Sequence, residues 1–323
     1  MEKWFDLIAH SFTSVFPVFL IFLTGYAFGK IFKKKAEMLS TLAFWLFGSI
    51  LILTYVNEHL PKLDHIWRYF LGTIIIILII IILYWIIGKI TGRSFKMWAY
   101  TSIFANTGYI GYPVLEYSVG PRAIPLAVIM ASANMILLPT VGVLMLTGGK
   151  ENREGKVRFL KNAARHMASV PWIYALAAGW ILGLLGFKLT RDLPGSIMNY
   201  VQMLKDSAIP VILLVVGVNL SKFKLKPGNL KRIFSASFSK LLIPPVLAVF
   251  VGKMLGMQGL VYKVFVLELA MPTAVNTAIL AQGVSEKENG SKEEEKDFAS
   301  AVVVYSTFLF LFSFPIWYSF MAG

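Results

Sequence analysis

The chain contains no cysteine, which excludes disulfide bridges and metal sites built from thiolates. Charged residues are also scarce: they make up 15% of the 323 residues, whereas 57% are hydrophobic and the mean hydropathy is +0.69. Soluble globular domains carry about 25% charged residues, so this composition excludes that class. It is typical of a protein that crosses a membrane several times.

Acidic residues are fewer than basic ones, 17 against 31, and a net charge of +14 is a level found in nucleic-acid-binding proteins. The positions of the charges indicate otherwise, because long uncharged stretches separate the charge clusters. The run from Tyr69 to Gly88 has 20 residues without a charge, which as a helix is about 30 Å long, the thickness of the hydrocarbon core. Ten membrane-spanning helices are predicted, at residues 5–29, 38–57, 69–88, 97–119, 123–147, 168–187, 196–220, 233–256, 261–284 and 298–321.

The basic residues collect on one side of these spans. The connections after spans 1, 3, 5, 7 and 9, with Lys240 near the start of span 8, hold 22 of the 31 lysines and arginines. The amine of Lys240 is expected to extend to the interface along its flexible side chain. The positive-inside rule then predicts a protein of the cell membrane with these connections in the cytoplasm and both termini outside. No nucleic-acid partner is expected, and the lipid bilayer accounts for the charge distribution.

A cytoplasmic loop at residues 148–167 divides the chain into two halves of five spans each, residues 1–147 and 168–323. An odd number of spans per half predicts that the halves are inverted relative to each other in the membrane. Glycines spaced four apart occur near the end of the first span of each half, Gly25 with Gly29 and Gly179 with Gly183. This spacing predicts close helix packing at both places.

The fourth span of each half contains residues that interrupt a helix, "NTGYIGYP" in span 4 and "ELAMPTAVNTA" in span 9. Proline has no N–H, so Pro113 leaves the carbonyl of Tyr109 without its helical donor, and Pro272 does the same to Glu268. In hydrocarbon such groups persist only where they line a cavity or meet a partner. Interrupted helices at matching positions of two inverted halves therefore predict a transporter binding site.

Three segments are similar to motifs of the auxin efflux carrier family, which includes bacterial malate and malonate permeases and plant auxin exporters. "FANTGYIGYPVLEYSVG" resembles its fourth-span motif, "AIPVILLVVGVNL" its seventh and "LELAMPTAVNTAILAQ" its ninth. The family belongs with the bile acid:sodium symporter-like transporters. The resemblance covers all ten spans in order, with one departure: span 2 has Gly48 and Ser49 where many members have proline.

This resemblance implies a five-plus-five inverted repeat in which spans 4 and 9 cross at Pro113 and Pro272. It also implies a scaffold of spans 1, 2, 6 and 7, a moving core of spans 3–5 and 8–10, and a homodimer. Substrate identity does not carry over, because members of the family differ in it.

The residues and the resemblance together predict a secondary transporter of a small organic anion, a carboxylate, working by alternating access. Glu268 is predicted to hold the coupling ion, Na⁺ or H⁺, and no other cofactor is expected. Free N–H groups around Gly111 and Thr273 are predicted to meet the carboxylate without a fixed lysine at the centre. The predicted substrate-binding residues are Asn106, Thr107, Tyr109, Gly111, Pro113, Asn134, Pro272, Thr273, Asn276 and Thr277.

Two other classes of membrane protein are alternatives to a transporter. A channel could use the same interrupted helices as a selectivity filter, and saturable, gradient-coupled uptake would distinguish the two. An intramembrane enzyme fits poorly, since the chain has neither H-E-x-x-H nor G-x-S-x-G, and only Asp206 among the aspartates falls well inside a span. The chain is therefore not expected to be an enzyme.

Overall fold

The computed structural model describes residues 2–32, 36–60, 62–147, 171–223, 230–287 and 293–322. Every regular element in these ranges is a helix, and one isolated antiparallel β-bridge joins two segments between helices. The predicted all-α class is therefore confirmed for this part of the chain. The α-helices are α1 (Glu2–Ile31), α2 (Ala36–Leu42), α3 (Gly48–Glu58), α4 (Leu63–Thr91), α5 (Lys96–Ile103), α6 (Tyr112–Ser118), α7 (Ile124–Leu137), α8 (Val143–Thr147), α9 (Pro171–Leu184), α10 (Gly195–Ser221), α11 (Leu230–Met254), α12 (Gly259–Leu269), α13 (Val275–Lys287) and α14 (Glu293–Ala322).

Six helical stretches within the described ranges are long and apolar enough to cross a membrane. They are Met38–Glu58, Asp64–Thr91, Pro121–Thr147, Gly195–Ser221, Leu230–Met254 and Glu294–Ala322, and Val15–Ile31 and Pro171–Leu184 are shorter apolar helices. Predicted spans 4 and 9 do not qualify, because each is interrupted and its two pieces are too short to cross hydrocarbon singly. The count of ten spans and the inverted five-plus-five repeat stay predictions.

Predicted span 4 consists of α5, an extended segment at residues 104–106, a π-helical turn at Thr107–Gly111, and α6. Predicted span 9 consists of α12, a break at residues 270–274, and α13. Pro272 lies within its break, whereas Pro113 lies in α6, after the helix has resumed. The interruption of span 4 was therefore placed too late in the chain.

The paired glycines allow close helix contacts, as their spacing predicts. A Cβ atom on Gly25 of α1 would collide with the carbonyl oxygen of Leu214 in α10, and one on Gly217 with the carbonyl oxygen of Phe22. In the second pair of helices, a Cβ on Gly179 of α9 would lie 2.7 Å from the carbonyl oxygen of Leu53 in α3. The backbones of α1 with α10, and of α3 with α9, thus touch directly.

The loop between α9 and α10 is attached to α3 through one buried amide. Asn57 donates from Nδ2 to the carbonyl of Phe187 (2.8 Å), and its Oδ1 accepts the N–H of Leu189 (2.9 Å). Within this loop Arg191 donates to Asp192 (2.8 Å), which lowers the pKa of that carboxyl. The bonds from Asn57 hold the loop at residues 186–192 against the end of α3.

Candidate functional site

The breaks of the two interrupted spans meet through backbone hydrogen bonds. Ala105 and Thr273 form the antiparallel β-bridge. The N–H of Asn106 donates to the carbonyl of Pro272 (2.8 Å), and the N–H of Ala274 donates to the carbonyl of Phe104 (2.9 Å). We call residues 104–106 and 272–274 the bridge. Extended backbone deep inside a membrane protein is tolerated only where such partners exist, and here each break supplies them to the other.

Side chains of the bridge also bind neighbouring helices. Thr273 is fully buried, its Oγ1 donates to the carbonyl of Thr101 (2.9 Å), and its N–H donates to Oγ of Ser306 (3.1 Å). The N–H of Gly111 donates to the carbonyl of Asn106 (3.0 Å). The prediction that the N–H groups of Gly111 and Thr273 are free is therefore wrong, because acceptors inside the protein already hold both.

The carbonyl of Glu268 was likewise predicted to be free, and the N–H of Met271 donates to it at 3.2 Å. The chain turns tightly after α12, which brings this donor back to the helix end. The N–H of Met271 thus replaces the donor that Pro272 lacks. Of the carbonyl and carboxyl groups of Glu268, only the carboxyl group has no hydrogen-bond partner among the described residues.

A cavity of about 60 Å³ lies beside the bridge. Five predicted site residues line it: Asn106, Thr107, Tyr109, Asn134 and Asn276. It adjoins a larger pocket of about 330 Å³, since Phe44, Tyr109, Val275 and Asn276 line both. The larger pocket extends between the start of predicted span 2 and the end of α10, where its walls include Ser40, Asn219 and Lys222.

Two buried amides in the wall of the smaller cavity have unused hydrogen-bonding atoms. Asn134 is 9% exposed and donates to the carbonyl of Ala105 (3.2 Å) and to Oγ1 of Thr107 (3.1 Å), while its Oδ1 has no partner among the described residues. Asn106 is 3% exposed, and its Nδ2 also has none there. Buried polar atoms are normally paired, so these two atoms are available to a polar ligand in the cavity.

The other predicted substrate-binding residues do not line either pocket. Gly111, Pro113, Pro272, Thr273 and Thr277 are all buried within the protein around the bridge. Thr277 accepts the hydroxyl of Tyr100 at its carbonyl (2.7 Å), which ties α13 to α5. Oγ1 of Thr277 has no partner among the described residues, and a substrate contact by any of these five residues stays a prediction.

Two aromatic residues that line the cavity, Phe44 and Trp172, were not predicted from the sequence. Trp172 at the start of α9 donates from Nε1 to the carbonyl of Phe44 (2.6 Å) and stacks on its ring, with centroids 4.7 Å apart. Tyr109 meets the Trp172 ring edge-on at 5.7 Å, and a Cβ atom on Gly108 would lie 3.2 Å from it. No local pattern marks Trp172, because its contacts come from segments more than 60 residues away.

All three π-helical turns in the described chain contribute to the cavity wall. They are Ala43–Phe47, Thr107–Gly111 and Leu138–Gly142, through Phe44, residues 107–109 and Leu138 respectively. Single π turns within α-helices occur often at functional sites, because they leave backbone groups without regular partners. Pro139 gives the third turn a local cause, since it has no N–H to donate.

Glu268 lies behind the cavity wall rather than in it. It is fully buried, neither carboxyl oxygen has a hydrogen-bond partner among the described residues, and a Cβ atom on Gly111 would lie 2.8 Å from both oxygens. An ionised carboxylate in such surroundings is very unfavourable without a counter-charge. This side chain therefore needs either a proton or a bound cation.

Lys240 is buried in the same region. Its side chain is 0% exposed, and Nζ donates to the carbonyl of Leu269 at 3.2 Å, next in sequence to Glu268. The prediction that its amine reaches the cytoplasmic interface is wrong. Leu269 ends α12, and its free carbonyl holds the amine inside the protein.

Comparisons with known proteins agree with these observations. A family model described as a membrane transport protein matches residues 10–318. An uncharacterized transporter of Methanothermobacter thermautotrophicus is 28% identical over 228 residues, which cover 69% of this chain and 68% of that protein. An uncharacterized transporter of Methanocaldococcus jannaschii is 26% identical over 283 residues, covering 82% of this chain and 87% of that one.

Proposed function

This chain belongs to the membrane transport protein family, the auxin efflux carrier family whose motifs it carries, and on this premise we propose that it is a secondary transporter of a small organic anion. The substrate is a carboxylate such as malate, malonate or an auxin-like acid. One observation carries the proposal: the buried Nδ2 donor of Asn106, which has no partner among the described residues, is in the wall of a cavity at the point where two interrupted helices meet.

Helix N-termini at this cavity supply the main attraction for the anion. The helical turn that begins at Thr107 and the helix α13 that begins at Val275 both present their first residues to it. The first N–H groups of a helix have no acceptor inside that helix, and its dipole favours a negative charge there. The N–H groups of Gly108, Tyr109, Val275 and Asn276 therefore replace those of Gly111 and Thr273 in the proposal.

Alternating access requires that the cavity walls come from two bodies that move relative to each other. In the proposed scaffold of spans 1, 2, 6 and 7, Phe44, Trp172 and Asn219 form one wall. The proposed moving core forms the other, through Asn106, Asn134 and the rest of the bridge region. The direct backbone contact of α1 with α10, and of α3 with α9, supports a rigid scaffold.

The larger pocket lies on the side that the basic loops assign to the cytoplasm. Polar contacts close the opposite side: the hydroxyl of Tyr55 in α3 bonds the carboxylate of Glu116 in α6, and Lys205 pairs with Glu58 at 3.4 Å. The contact of Tyr55 with Glu116 joins the proposed scaffold to the proposed core, whereas the pair of Lys205 with Glu58 joins two helices of the scaffold. The arrangement supports a state that receives substrate from the cytoplasm. In this proposal the protein is a homodimer of the cell membrane with both termini outside.

Ligand-dependent stability tests the substrate class directly. Purified protein is heated with each of a set of small mono- and dicarboxylates, with and without Na⁺, because a ligand that binds only the native state raises the unfolding temperature. Uptake of the stabilising carboxylate into proteoliposomes should then saturate with concentration. Flux that rises linearly with concentration and resists saturation would instead identify a channel.

Asn276→Ala should weaken carboxylate binding strongly while leaving the protein folded. Asn276 is exposed at the second residue of α13, where it lines both pockets. A hydrogen bond to a charged group contributes about 1.5–3 kcal/mol, so its loss lowers affinity by roughly 10- to 100-fold. Gln282→Ala on the same helix, at a residue that lines neither pocket, is the matched control. Unchanged uptake by Asn276→Ala would contradict this assignment.

Glu268→Gln should uncouple transport from the ion gradient. We propose that this carboxyl carries the coupling proton or Na⁺, since it is buried beside Gly111 and has no partner in the described part of the chain. The variant keeps the shape but holds neither ion, so it is expected to lose accumulation of substrate against a concentration gradient. Exchange of external for internal substrate should persist, which shows that the variant is folded and binds. Accumulation at the wild-type level would remove Glu268 from the coupling mechanism.

A further inference from the structure

Lys240 occupies an unusual position for a lysine. It lies near the middle of α11 (Leu230–Met254), one of the membrane-spanning stretches, and is fully buried. A lysine at the centre of a span costs about 2.5 kcal/mol or more in insertion measurements, so such residues are rare and usually functional. The surroundings of its amine indicate what that function is.

The amine binds the open end of an interrupted helix. Leu269 is the last residue of α12, and in a continuous helix its carbonyl would accept the N–H of Thr273. That N–H instead donates to Oγ of Ser306, and Nζ of Lys240 donates to Leu269 at 3.2 Å. Because the carbonyl end of a helix carries about half a negative charge, a cation is favoured there.

At the corresponding end of α5, two carbonyls accept hydrogen bonds from neutral donors. The carbonyl of Thr101 accepts the hydroxyl of Thr273, and the carbonyl of Phe104 accepts the N–H of Ala274. Neutral donors can therefore bind backbone carbonyls at the end of a half-helix. A charged ammonium group is not needed at the end of α12 merely to supply a hydrogen bond.

An acidic side chain lies at the same helix end without pairing to the amine. Glu268 immediately precedes Leu269 and is fully buried, yet among the described residues no carboxylate oxygen lies within 4.0 Å of Nζ of Lys240. In transporters with interrupted helices, carbonyl ends of half-helices bind the coupling Na⁺, and carboxylate oxygens are ligands for hard cations. Here an amine is already bound to the carbonyl that such an ion would use.

We propose that Lys240 is a built-in cation of the transport site: its amine holds the carbonyl end of α12 in place of Na⁺, so the protein binds its anion without Na⁺. This inference rests on the proposed function, and it deepens it by selecting between the two coupling ions. With the cation position filled, Glu268 is left to carry a proton. The fixed positive charge also contributes a favourable field for an anion at the neighbouring bridge.

Removing the amine should create a dependence on Na⁺ that the wild-type protein does not have. Unfolding temperatures of the full chain are measured in NaCl and in choline chloride at equal ionic strength, without substrate. Wild type and Lys240→Arg should show the same value in both salts. Lys240→Ala and Lys240→Gln should unfold at lower temperature in choline and regain about 3 °C in NaCl at roughly tenfold the dissociation constant, because Na⁺ then enters the vacated position.

Two controls separate this role from that of an ordinary structural contact. Lys263→Ala removes a partly buried lysine of α12 that lies over the ring of Tyr318, and it should change stability equally in both salts. Adding Glu268→Gln to Lys240→Ala should abolish the Na⁺ effect, because the carboxylate ligand is lost. A purely structural lysine would lower the unfolding temperature of Lys240→Ala by the same amount in NaCl and choline.

The outcomes for this inference and for the proposed function are independent. Na⁺-specific stabilisation of the wild type would overturn the role of Lys240, and this test does not require folded Lys240→Ala. A folded Lys240→Gln protein whose unfolding temperature does not respond to Na⁺ would overturn it as well. Neither result requires that an anion bind. Failure of every carboxylate to stabilise the wild type in either salt would instead contradict the proposed function and leave the salt comparison valid.

Discussion

Asn106→Asp is expected to abolish uptake of the carboxylate substrate. The side chain of Asn106 is almost fully buried in the cavity wall, and its amide nitrogen has no partner among the described residues. Aspartate has the same shape but replaces this donor by a negative charge. Two like charges about 4 Å apart at an effective dielectric constant of about 20 repel by about 4 kcal/mol, roughly a thousandfold in affinity.

The backbone of Asn106, not its side chain, makes the bridge, so Asn106→Asp keeps the bridge hydrogen bonds, although the charge buried in the cavity wall lowers its stability. Asn106→Ala removes only the donor and is expected to lose roughly 10- to 100-fold in affinity. Ser102→Ala, at a buried hydroxyl on α5 that does not line the cavity, is the matched control. Initial uptake rates in proteoliposomes and carboxylate-dependent unfolding temperatures measure the effect. Equal uptake by Asn106→Asp and wild type would place the anion elsewhere.

The largest loss of stability is expected from Gly217→Ala in α10. A Cβ atom at this position would overlap the carbonyl oxygen of Phe22 and press against the backbone of Gly25 and Tyr26 in α1. Rotamer changes cannot relieve a clash with backbone, so the two helices must separate. Overpacking of this kind costs about 3 kcal/mol or more, which lowers the unfolding temperature by roughly 5–10 °C.

Gly195→Ala at the start of the same helix is the control for helix propensity. A Cβ atom there would have no neighbour within 4 Å, so the alanine should be neutral or slightly stabilising. The two variants are compared by thermal unfolding in the same detergent. If Gly217→Ala unfolds at the wild-type temperature, the direct backbone contact between α1 and α10 does not exist in the membrane protein.

Sequence reasoning worked best where a property depends on neighbours along the chain. The interruption of span 9 at Pro272 was predicted because a missing N–H acts on the preceding turn of its own helix. The same argument misplaced the break of span 4: Pro113 was taken as its cause, whereas the chain leaves the helix at Phe104 and resumes at Thr107. That break is stabilised by bonds from Pro272 and Ala274, about 170 residues away, which no local rule could supply.

Partners distant in sequence also explain the errors in the candidate site. The N–H groups of Gly111 and Thr273 should be free by the rules for a broken helix, but Asn106 and Ser306 accept them. Lys240 resembles any lysine near the end of a span until the carbonyl of Leu269 is brought beside it. In each case the acceptor lies outside the helix or break that contains the donor, so its position depends on how the segments pack.

By itself the sequence determined that this chain is a helical membrane protein, which family it resembles, and that polar residues interrupt two of its spans. These follow from composition, charge position and backbone chemistry, all of which act over one span or less. Only the tertiary structure decided which polar atoms remain unpaired at the bridge, that Trp172 and Phe44 line the cavity, and that the amine of Lys240 binds the carbonyl end of α12. The physical reason is that hydrogen-bond satisfaction inside a membrane protein depends on which helices pack together, and that choice is made across the whole chain.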